Sequence, residues 1–385
     1  MITKHICVIT GSRADYNYLK LIIEKIDKSN KLKLSLIVTG MHLLKEHGNT
    51  IELIKKDQIP IAKTIPMYEE NDTSSISLGK AVGESIIQFT IAYNELKPDL
   101  ILILGDRYES LVAAIAASTL RIPVAHIHGG DISGTIDETL RHTITKLAHV
   151  HFPATSKSAE RIRLMGEQEW RIYMAGSTSV DIAMNEQLFS KEEICKKFEL
   201  NASEKIVLCL QHPNVFESER AGMQMKVTLQ VLKDLDLQTI IIYPNNDLGS
   251  NLIIEEINNN DNFPKFRIFN NLERQDYLSL LKNIDLLIGN SSGGFIESPI
   301  FNLPVVDIGT RNINRESAKN VIHVDYDSNN IKNAVQKALS KGFKESCQKV
   351  INPYGNGTAS DEIIKIIEDL EINKDLLIKR LTYTV

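Results

Sequence analysis

The feature of this chain that most restricts its fold is a repeated pairing of a short apolar run with a helical pattern. In the first half the runs are "HICVIT", "KLSLIVTG", "DLILILGD", "IPVAHIHG" and "VHFPAT", each closed by a turn or by polar residues. Continuous apolar strands that alternate with amphipathic helices predict a parallel sheet that is buried on both faces.

The same alternation restarts after the polar helical stretch "NEQLFSKEEICKKFELNASE". The later runs are "KIVLCLQHP", "TIIIYPNND", "FRIFNN", "DLLIGNSSGG" and "LPVVDIGTR". A chain of 385 residues is also longer than one hydrophobic core usually reaches. We therefore predict two doubly wound, Rossmann-like α/β domains, with the boundary near residues 180 to 203.

Composition excludes several classes of partner. The 44 basic and 49 acidic residues give a net charge of -5, which argues against a nucleic-acid binder. The four cysteines are scattered without a C-x-x-C pair, as in reduced cytosolic proteins. The first apolar stretch is too short for a signal peptide, and no apolar segment approaches the roughly 18 residues of a membrane span. We predict a cytoplasmic protein without nucleic-acid or membrane partners.

The first strand ends in "TGSRAD", which places Arg13 at the opening of a helix. In doubly wound sheets, ligands bind beyond the carboxyl ends of the strands. An arginine there could bind a phosphate in a bidentate manner, and an ion pair with Asp15 is the alternative. The spacing G-x-G-x-x-G is missing, so the sequence does not predict a nicotinamide dinucleotide.

The segment "IGNSSGGFIESP", residues 288 to 299, is the second candidate phosphate site. Ser291, Ser292 and Gly293 could hold phosphate oxygens and allow close backbone approach, and Glu297 could accept from ribose hydroxyls. The alternative is a βα loop with Ser291 or Ser292 as a helix cap. Two glycines after two serines exceed what capping needs, so we favour phosphate binding.

The segment "ILGDRYES" places Asp106 and Arg107 directly after the most apolar strand. A carboxylate beside a permanent cation suits acid/base work or the binding of a hydroxyl group. Asp106 could instead cap the following helix, and the sequence leaves both roles open.

The segment "AHIHGGDISG" contains two histidines one residue apart. Strand alternation predicts His126 and His128 on the same face, with Asp131 following across two glycines. The pattern is compatible with a metal site, but a clear fourth ligand is missing nearby. Buried structural histidines are a second alternative. We favour a role in substrate binding or proton transfer and predict no metal.

The next helix, "SGTIDETLRH", begins with a predicted capping box of Thr135 and Glu138, which explains Glu138 structurally. Asp137 could pair with Arg141 four residues later, but is the better functional candidate. Beyond the later strand "LCLQHPN", His212 could bind a diphosphate oxygen or protonate a leaving group. A purely structural role for His212 is the alternative.

Taken together, these stretches resemble the sugar-nucleotide 2-epimerases, particularly the hydrolysing branch that opens sialic and related nonulosonic acid pathways. The matching segments lie in order between residues 11 and 316: "GSRADY", "TGMHL", "LGDRYE", "HIHGGDISGTIDETLRHTITKLAH", "LQHP", "GNSSGG" and "IGTRNINRE". The resemblance implies a GT-B type fold with the nucleotide in a cleft between two domains. Those domains would be residues 1–180 and 181–361, with a C-terminal helix in 362–385 packing back on the first.

The family reaction removes the C2 proton while the nucleoside diphosphate leaves C1, which gives a 2-acetamidoglycal. Water then adds with inversion at C2, so UDP-GlcNAc would give ManNAc and UDP without a cofactor. The alternatives are the same reaction on a 2,4-diacetamido-6-deoxy sugar linked to UDP or GDP, for legionaminic acid, and a non-hydrolysing epimerase. A glycosyltransferase of the same fold and a metal-dependent hydrolase are more distant alternatives. The resemblance also implies a homodimer or a higher homo-oligomer.

The family motifs carry over residue by residue. They imply nucleotide contacts for Arg13, Ser291, Ser292, Glu297 and Arg311, with His212 near the diphosphate. The residues expected to be catalytic are Asp106, His128, Asp131, Asp137 and His212. Further substrate contacts are expected from His42, Arg107, Asn245 and Gly293.

One departure concerns the base that removes the C2 proton. Many members have a glutamate, in the pattern H-x-E-G-G, at the position of His128. His128 could act as the base near neutral pH, or Asp131 could supply the missing carboxylate.

Overall fold

The computed structural model describes residues 3–45, 48–70, 74–132, 137–245 and 247–383. The chain divides into two compact units: residues 1–182 with 354–385, and residues 183–353. In the described residues, each unit contains one six-stranded sheet whose neighbouring strands are all parallel. None of the described helices combines the length and apolar composition needed to cross a bilayer.

The first unit has the strand order β3-β2-β1-β4-β5-β6. Its strands are β1 (Lys4–Thr10), β2 (Leu32–Thr39), β3 (Ile61–Ile65), β4 (Leu100–Leu104), β5 (Val124–Ile127) and β6 (Val150–Phe152). Its first helices are α1 (Arg13–Lys28), α2 (Ile51–Lys56), α3 (Ser75–Leu96), α4 (Tyr108–Thr119), α5 (Asp137–Leu147) and α6 (Ser156–Leu164). The order reverses between β1 and β4, so the polar residues after these two strands lie at the switch point.

Local sequence explains these elements. All five residues of β4, "LILIL", are buried, as expected for a central parallel strand covered on both faces. In α1, Ser12 caps the helix by accepting from the Asp15 N–H, and the buried side chains recur every three or four residues.

The second unit repeats this plan with the order β12-β11-β10-β7-β8-β9. Its strands are β7 (Ile206–Leu210), β8 (Gln238–Ile242), β9 (Phe266–Phe269), β10 (Leu286–Gly289), β11 (Val305–Ile308) and β12 (Val321–Val324). Its helices are α8 (Lys191–Lys197), α9 (Ala221–Asp234), α10 (Ser250–Asn258), α11 (Arg274–Asn283), α12 (Gly293–Ile296), α13 (Ser328–Leu339) and α14 (Lys341–Cys347). The helix α7 (Thr178–Asn185) contains the division between the units, and the second sheet reverses between β7 and β10.

The C-terminal segment belongs to the first unit from Tyr354 onward, eight residues before the start that the sequence suggests. Its helix α15 (Ala359–Asp369) lies against α1, and α16 (Lys374–Leu377) follows. The buried guanidinium of Arg171 donates to the carbonyls of Leu376 at 2.7 Å and Asp375 at 2.8 Å. Main-chain hydrogen bonds to a buried cation therefore hold this segment in place.

Candidate functional site

The first unit brings a carboxylate and an arginine together beyond β4. Asp106 forms an ion pair with Arg141 of α5, whose side chain is only 6 % exposed. The Arg141 guanidinium also donates from Nη1 to the Asp131 carbonyl oxygen at 2.8 Å. Arg107, not Asp106, occupies the N-cap position of α4, so Asp106 does not cap that helix. The local sequence offered only Asp137 as a partner of Arg141, and the pairing with Asp106 depends on tertiary packing.

The loop after β5 is attached to α6. The Asp131 carboxylate accepts a hydrogen bond from the Ser158 hydroxyl, and Arg161 donates to the Gly130 carbonyl oxygen at 2.9 Å. Gly130 has a φ of 78°, and a Cβ there would overlap the Ser158 carbonyl oxygen, so glycine is required. Asp137 is exposed as the first residue of α5. The cap predicted for this helix, Thr135, lies outside the described residues.

The two histidines of "AHIHGGDISG" have different environments. His126 lies in β5 with no exposed surface, and its Nε2 is 2.7 Å from the Gly105 carbonyl oxygen. Its Nδ1 is 3.3 Å from the Thr145 hydroxyl, and burial lowers the pKa of His126 to about 3. His126 is thus a neutral structural residue that links the ends of β4 and β5 to α5.

His128 lies beyond the end of β5, in a left-handed backbone conformation with φ of 61°. The strand ends at Ile127, so the alternation on which the prediction of a shared face depends does not extend to His128. The half-buried His128 ring packs edge-on against Tyr18 at 5.4 Å between ring centroids. Among the described residues, no group of three or more His, Cys, Asp and Glu side chains could hold a metal ion.

A second charged cluster follows β1 and β4. Arg107 Nε is 3.4 Å from the buried carboxylate of Glu109, and a Cβ at Gly11 or Gly40 would overlap that carboxylate side chain. Burial raises the pKa of Asp15 to about 6; the nearby Arg107 opposes this rise. Asp15 accepts from the Gly11 N–H at 3.3 Å.

Two predicted contact residues lie near the same strand ends. Arg13 is half-buried as the first residue of α1. His42 is fully buried, with Nε2 3.0 Å from the Thr10 hydroxyl and Nδ1 2.7 Å from the Thr50 hydroxyl. Burial lowers the pKa of His42 to about 4. A substrate contact through either ring nitrogen would have to displace one of these partners.

In the second unit, His212 follows β7 and is 6 % exposed. Its Nδ1 accepts the main-chain N–H of Asn245 at 3.1 Å, so the proton of the neutral ring lies on Nε2. Burial, assisted by the charge of Arg311, lowers the pKa of His212 to about 3. A neutral His212 ring can donate a hydrogen bond to a diphosphate oxygen. It lacks the extra proton that it would need to protonate a leaving group. Asn245 contributes its main chain here, and its side chain is exposed.

The loop "GNSSGG" connects β10 to α12. Ser291 and Ser292 are half-buried, and Ser292 makes no capping hydrogen bond although it occupies the N-cap position. A Cβ at Gly293 would overlap the Tyr277 hydroxyl and the Glu297 carboxylate, so this glycine is needed for packing. Glu297 is buried and accepts from Arg274 at 2.6 Å. The Glu297 carboxylate is therefore already paired with a cation, and a ribose hydroxyl would have to share it with Arg274.

Arg311 and two asparagines complete this edge of the second sheet. Arg311 Nη1 donates to the Asn290 carbonyl oxygen at 3.1 Å, and Asn312 donates to the same oxygen at 2.9 Å. Asn312 also donates to the buried Asp307 carboxylate at 2.8 Å. No sequence motif singles out Asn312, because its hydrogen bonds depend on residues after two different strands coming together.

Comparison with known proteins identifies the family. A model described as "UDP-N-acetylglucosamine 2-epimerase" matches residues 24–368. The chain belongs to the UDP-N-acetylglucosamine 2-epimerase family. The resemblance that the motifs predict is therefore confirmed, and so are the two doubly wound α/β domains.

Individual members of the epimerase family match almost the whole chain. A Legionella pneumophila protein named UDP-N,N'-diacetylbacillosamine 2-epimerase (hydrolyzing) is 38% identical, covering 98% of each chain. A Neisseria meningitidis UDP-N-acetylglucosamine 2-epimerase is 35% identical, covering 96% of each. The solved structure of a Neisseria meningitidis UDP-GlcNAc 2-epimerase bound to UDP-GlcNAc has a TM-score of 0.81 at 19% identity. That match covers 95% of this chain and all of the other.

Proposed function

We propose that this family member is a hydrolysing 2-epimerase, which converts a UDP-linked 2-acetamido sugar and water into UDP and the free 2-epimer. The observation that carries the proposal is the buried Arg141 that joins Asp106 to the loop of His128 and Asp131. Charge developing at the sugar would meet oriented groups there, which is the usual source of enzymatic stabilisation.

In the first step a base takes the proton from C2. The C2–H electron pair forms the C1=C2 double bond, while the C1–O bond breaks and its electrons leave with UDP. We assign the base to His128, because the Asp131 carboxylate already accepts from Ser158. In the second step protonated Asp137, exposed at the start of α5, gives its proton to the opposite face of C2 while a water oxygen bonds to C1. The proton that this water loses returns to the Asp137 carboxylate, and the first proton, held on His128, passes to solvent.

The nucleotide would contact residues of the second sheet. The His212 Nε2–H would donate to a diphosphate oxygen, and Arg311 would add a permanent positive charge. Ser291 and Ser292, both half-buried, would supply further hydrogen bonds from their hydroxyl groups.

Two sugar nucleotides are candidate substrates. The sequence motifs predict UDP-GlcNAc, with ManNAc as product. UDP-N,N'-diacetylbacillosamine is favoured by the relatives, since the Legionella protein of that name is 38% identical and the Neisseria enzyme named for GlcNAc 35%. A Campylobacter jejuni protein named for the diacetylated sugar on GDP or UDP is also 35% identical. We place the diacetylated sugar first and UDP-GlcNAc second.

The proposal is tested by incubating purified protein with each sugar nucleotide, without an acceptor, with and without a chelator. Equal amounts of UDP and free 2-epimerised sugar, unaffected by chelator, are expected. A 2-epimer still attached to UDP would indicate the non-hydrolysing reaction, and turnover only with an acceptor would indicate a glycosyltransferase. Loss of activity with chelator would support a metal-dependent hydrolase instead.

A further inference from the structure

The side chain of Asn290 extends the pairing between β7 and β10 past the ends of both strands. Gly289 is paired with Leu210, and the Asn290 N–H donates to the Leu210 carbonyl oxygen at 3.1 Å. The Asn290 side chain then accepts the His212 N–H at 2.7 Å and donates to the His212 carbonyl oxygen at 2.9 Å. One amide therefore satisfies both main-chain groups of His212, where no strand partner remains.

The main chain of the same residue contacts the other charged group of this edge. Its carbonyl oxygen accepts from Arg311 at 3.1 Å and from Asn312 at 2.9 Å. Asn290 is 1 % exposed, so water does not compete effectively for these hydrogen bonds. The single residue thus links the histidine and the arginine.

We propose that Asn290 is a positioning residue that holds His212 and Arg311 in the arrangement that binds a nucleoside diphosphate. The proposal rests on the proposed function, because it assigns the diphosphate to these two residues. His212 is suited to such control: its Nδ1 is already used by Asn245, so only Nε2–H can reach a ligand. A rotation of the His212 backbone would redirect that single donor.

The Asn290→Asp variant tests the side chain with little change in volume. It keeps an oxygen for the His212 N–H but replaces the amide donor with an oxygen that faces the His212 carbonyl oxygen. Asn320→Asp is the matched control, because Asn320 is also fully buried in the second unit. Its amide donates to the Leu303 carbonyl oxygen at 2.7 Å and to the Ser298 hydroxyl at 2.8 Å.

Two readouts separate positioning from mere stability. Calorimetry with UDP should show a dissociation constant raised about 30-fold by Asn290→Asp and at most about threefold by Asn320→Asp, at similar losses of Tm. Nitrogen-15 NMR should show His212 of the wild type as the Nε2–H tautomer without titration between about pH 5 and 8. The Asn290→Asp variant should lose that pattern. With His212→Gln as background, Asn290→Asp should weaken UDP binding less than about threefold.

Equal UDP affinities for Asn290→Asp and Asn320→Asp, or unchanged His212 signals in Asn290→Asp, would overturn the proposal. If neither Asn290→Asp nor Asn290→Ser folds, the wild-type spectrum still decides, since an Nδ1–H tautomer or titration in this range would contradict it. Wild type that binds UDP but releases no free sugar would contradict the proposed function and leave this inference standing. Wild type that does not bind UDP would contradict both.

Discussion

At the level of single residues, Asp106 is the side chain whose replacement we expect to affect turnover most strongly. Its ion pair with Arg141 fixes one carboxylate orientation beyond β4, and Asn in its place would lose that charge. We expect Asp106→Asn to lower turnover by about two to four orders of magnitude while the protein stays folded. Steady-state UDP release and Tm measure the two effects.

Asp99→Asn is the matched control for this substitution. Asp99 precedes β4 at its amino end and accepts from the His5 N–H at 2.8 Å, far along the strand from Asp106. Its variant should keep turnover within about threefold of wild type, since surface or edge substitutions rarely affect chemistry. Equal turnover in the two variants would return Asp106 to a structural role.

His128 decides between two assignments of the C2 base. Alanine and glutamate at position 128 would both have to adopt the left-handed backbone at φ of 61°, so the difference between these two variants reports on the side chain. We expect His128→Ala to lose at least about a hundredfold in turnover and His128→Glu to retain much more. The acid limb of the pH–rate profile should move down by about two units in His128→Glu, as carboxylic acids titrate lower than imidazole. Full activity of His128→Ala would transfer the role to Asp131.

At the scale of elements, α5 is held at both ends. Near its start Arg141 binds Asp106 and the Asp131 carbonyl oxygen. At its C-terminal end, Lys379 of the C-terminal segment donates to the carbonyl oxygens of Lys146 at 2.7 Å and Ala148 at 2.5 Å. A cation at a helix C-terminus complements the helix dipole. The C-terminal segment thereby supports the helix that carries Asp137.

The buried carboxylate of Glu167, which pairs with Lys379, should make the attachment of the C-terminal segment sensitive to pH. Burial raises its pKa, but hydrogen bonds from His151, Lys146 and Lys379 outweigh that effect and lower the pKa of Glu167 to about 2. A lowered folded-state pKa means stabilisation that is present above the ordinary pKa and lost as the pH falls toward 2. We expect the Tm gap between wild type and Glu167→Gln to be widest near pH 7 and to shrink below about pH 4.5. A gap of constant size down to pH 3 would contradict the ionised role of Glu167.

The loop of the second sheet offers a test with two glycines. A Cβ at Gly293 would overlap Tyr277 and Glu297, whereas a Cβ at Gly342 in α14 would meet nothing within 4 Å. We expect Gly293→Ala to weaken UDP binding by about tenfold or more, because the serine loop must shift. Gly342→Ala should leave the affinity unchanged and raise Tm slightly, since alanine favours the helix. Calorimetry and thermal melting measure both; equal affinities would separate the loop from UDP binding.

At the scale of the whole molecule, the alternation of apolar runs and helices was enough to predict both sheets. Parallel strands buried on both faces need continuous apolar runs, so β4 and β10 can be recognised from their own residues. The return of the chain to the first unit from Tyr354 was harder to locate. It depends on main-chain carbonyls meeting Arg171, which the periodicity of a sequence does not encode.

The candidate site divides in the same way. Strand ends are recognisable, so Asp106, His212 and the serine loop were predicted from the sequence. Partners across the fold were not, because Arg141 and Asn290 act through groups distant in sequence. His126 illustrates the opposite case, in which the motif favoured a functional role. The structure instead places this histidine fully buried and hydrogen-bonded inside the first unit.

Hydrolysis with inversion at C2 can be followed by proton NMR of the reaction in heavy water. We expect free sugar with inverted C2 configuration, deuterium at C2, and one UDP for each sugar released. A free sugar that keeps its C2 proton, or a sugar that stays attached to UDP, would contradict it.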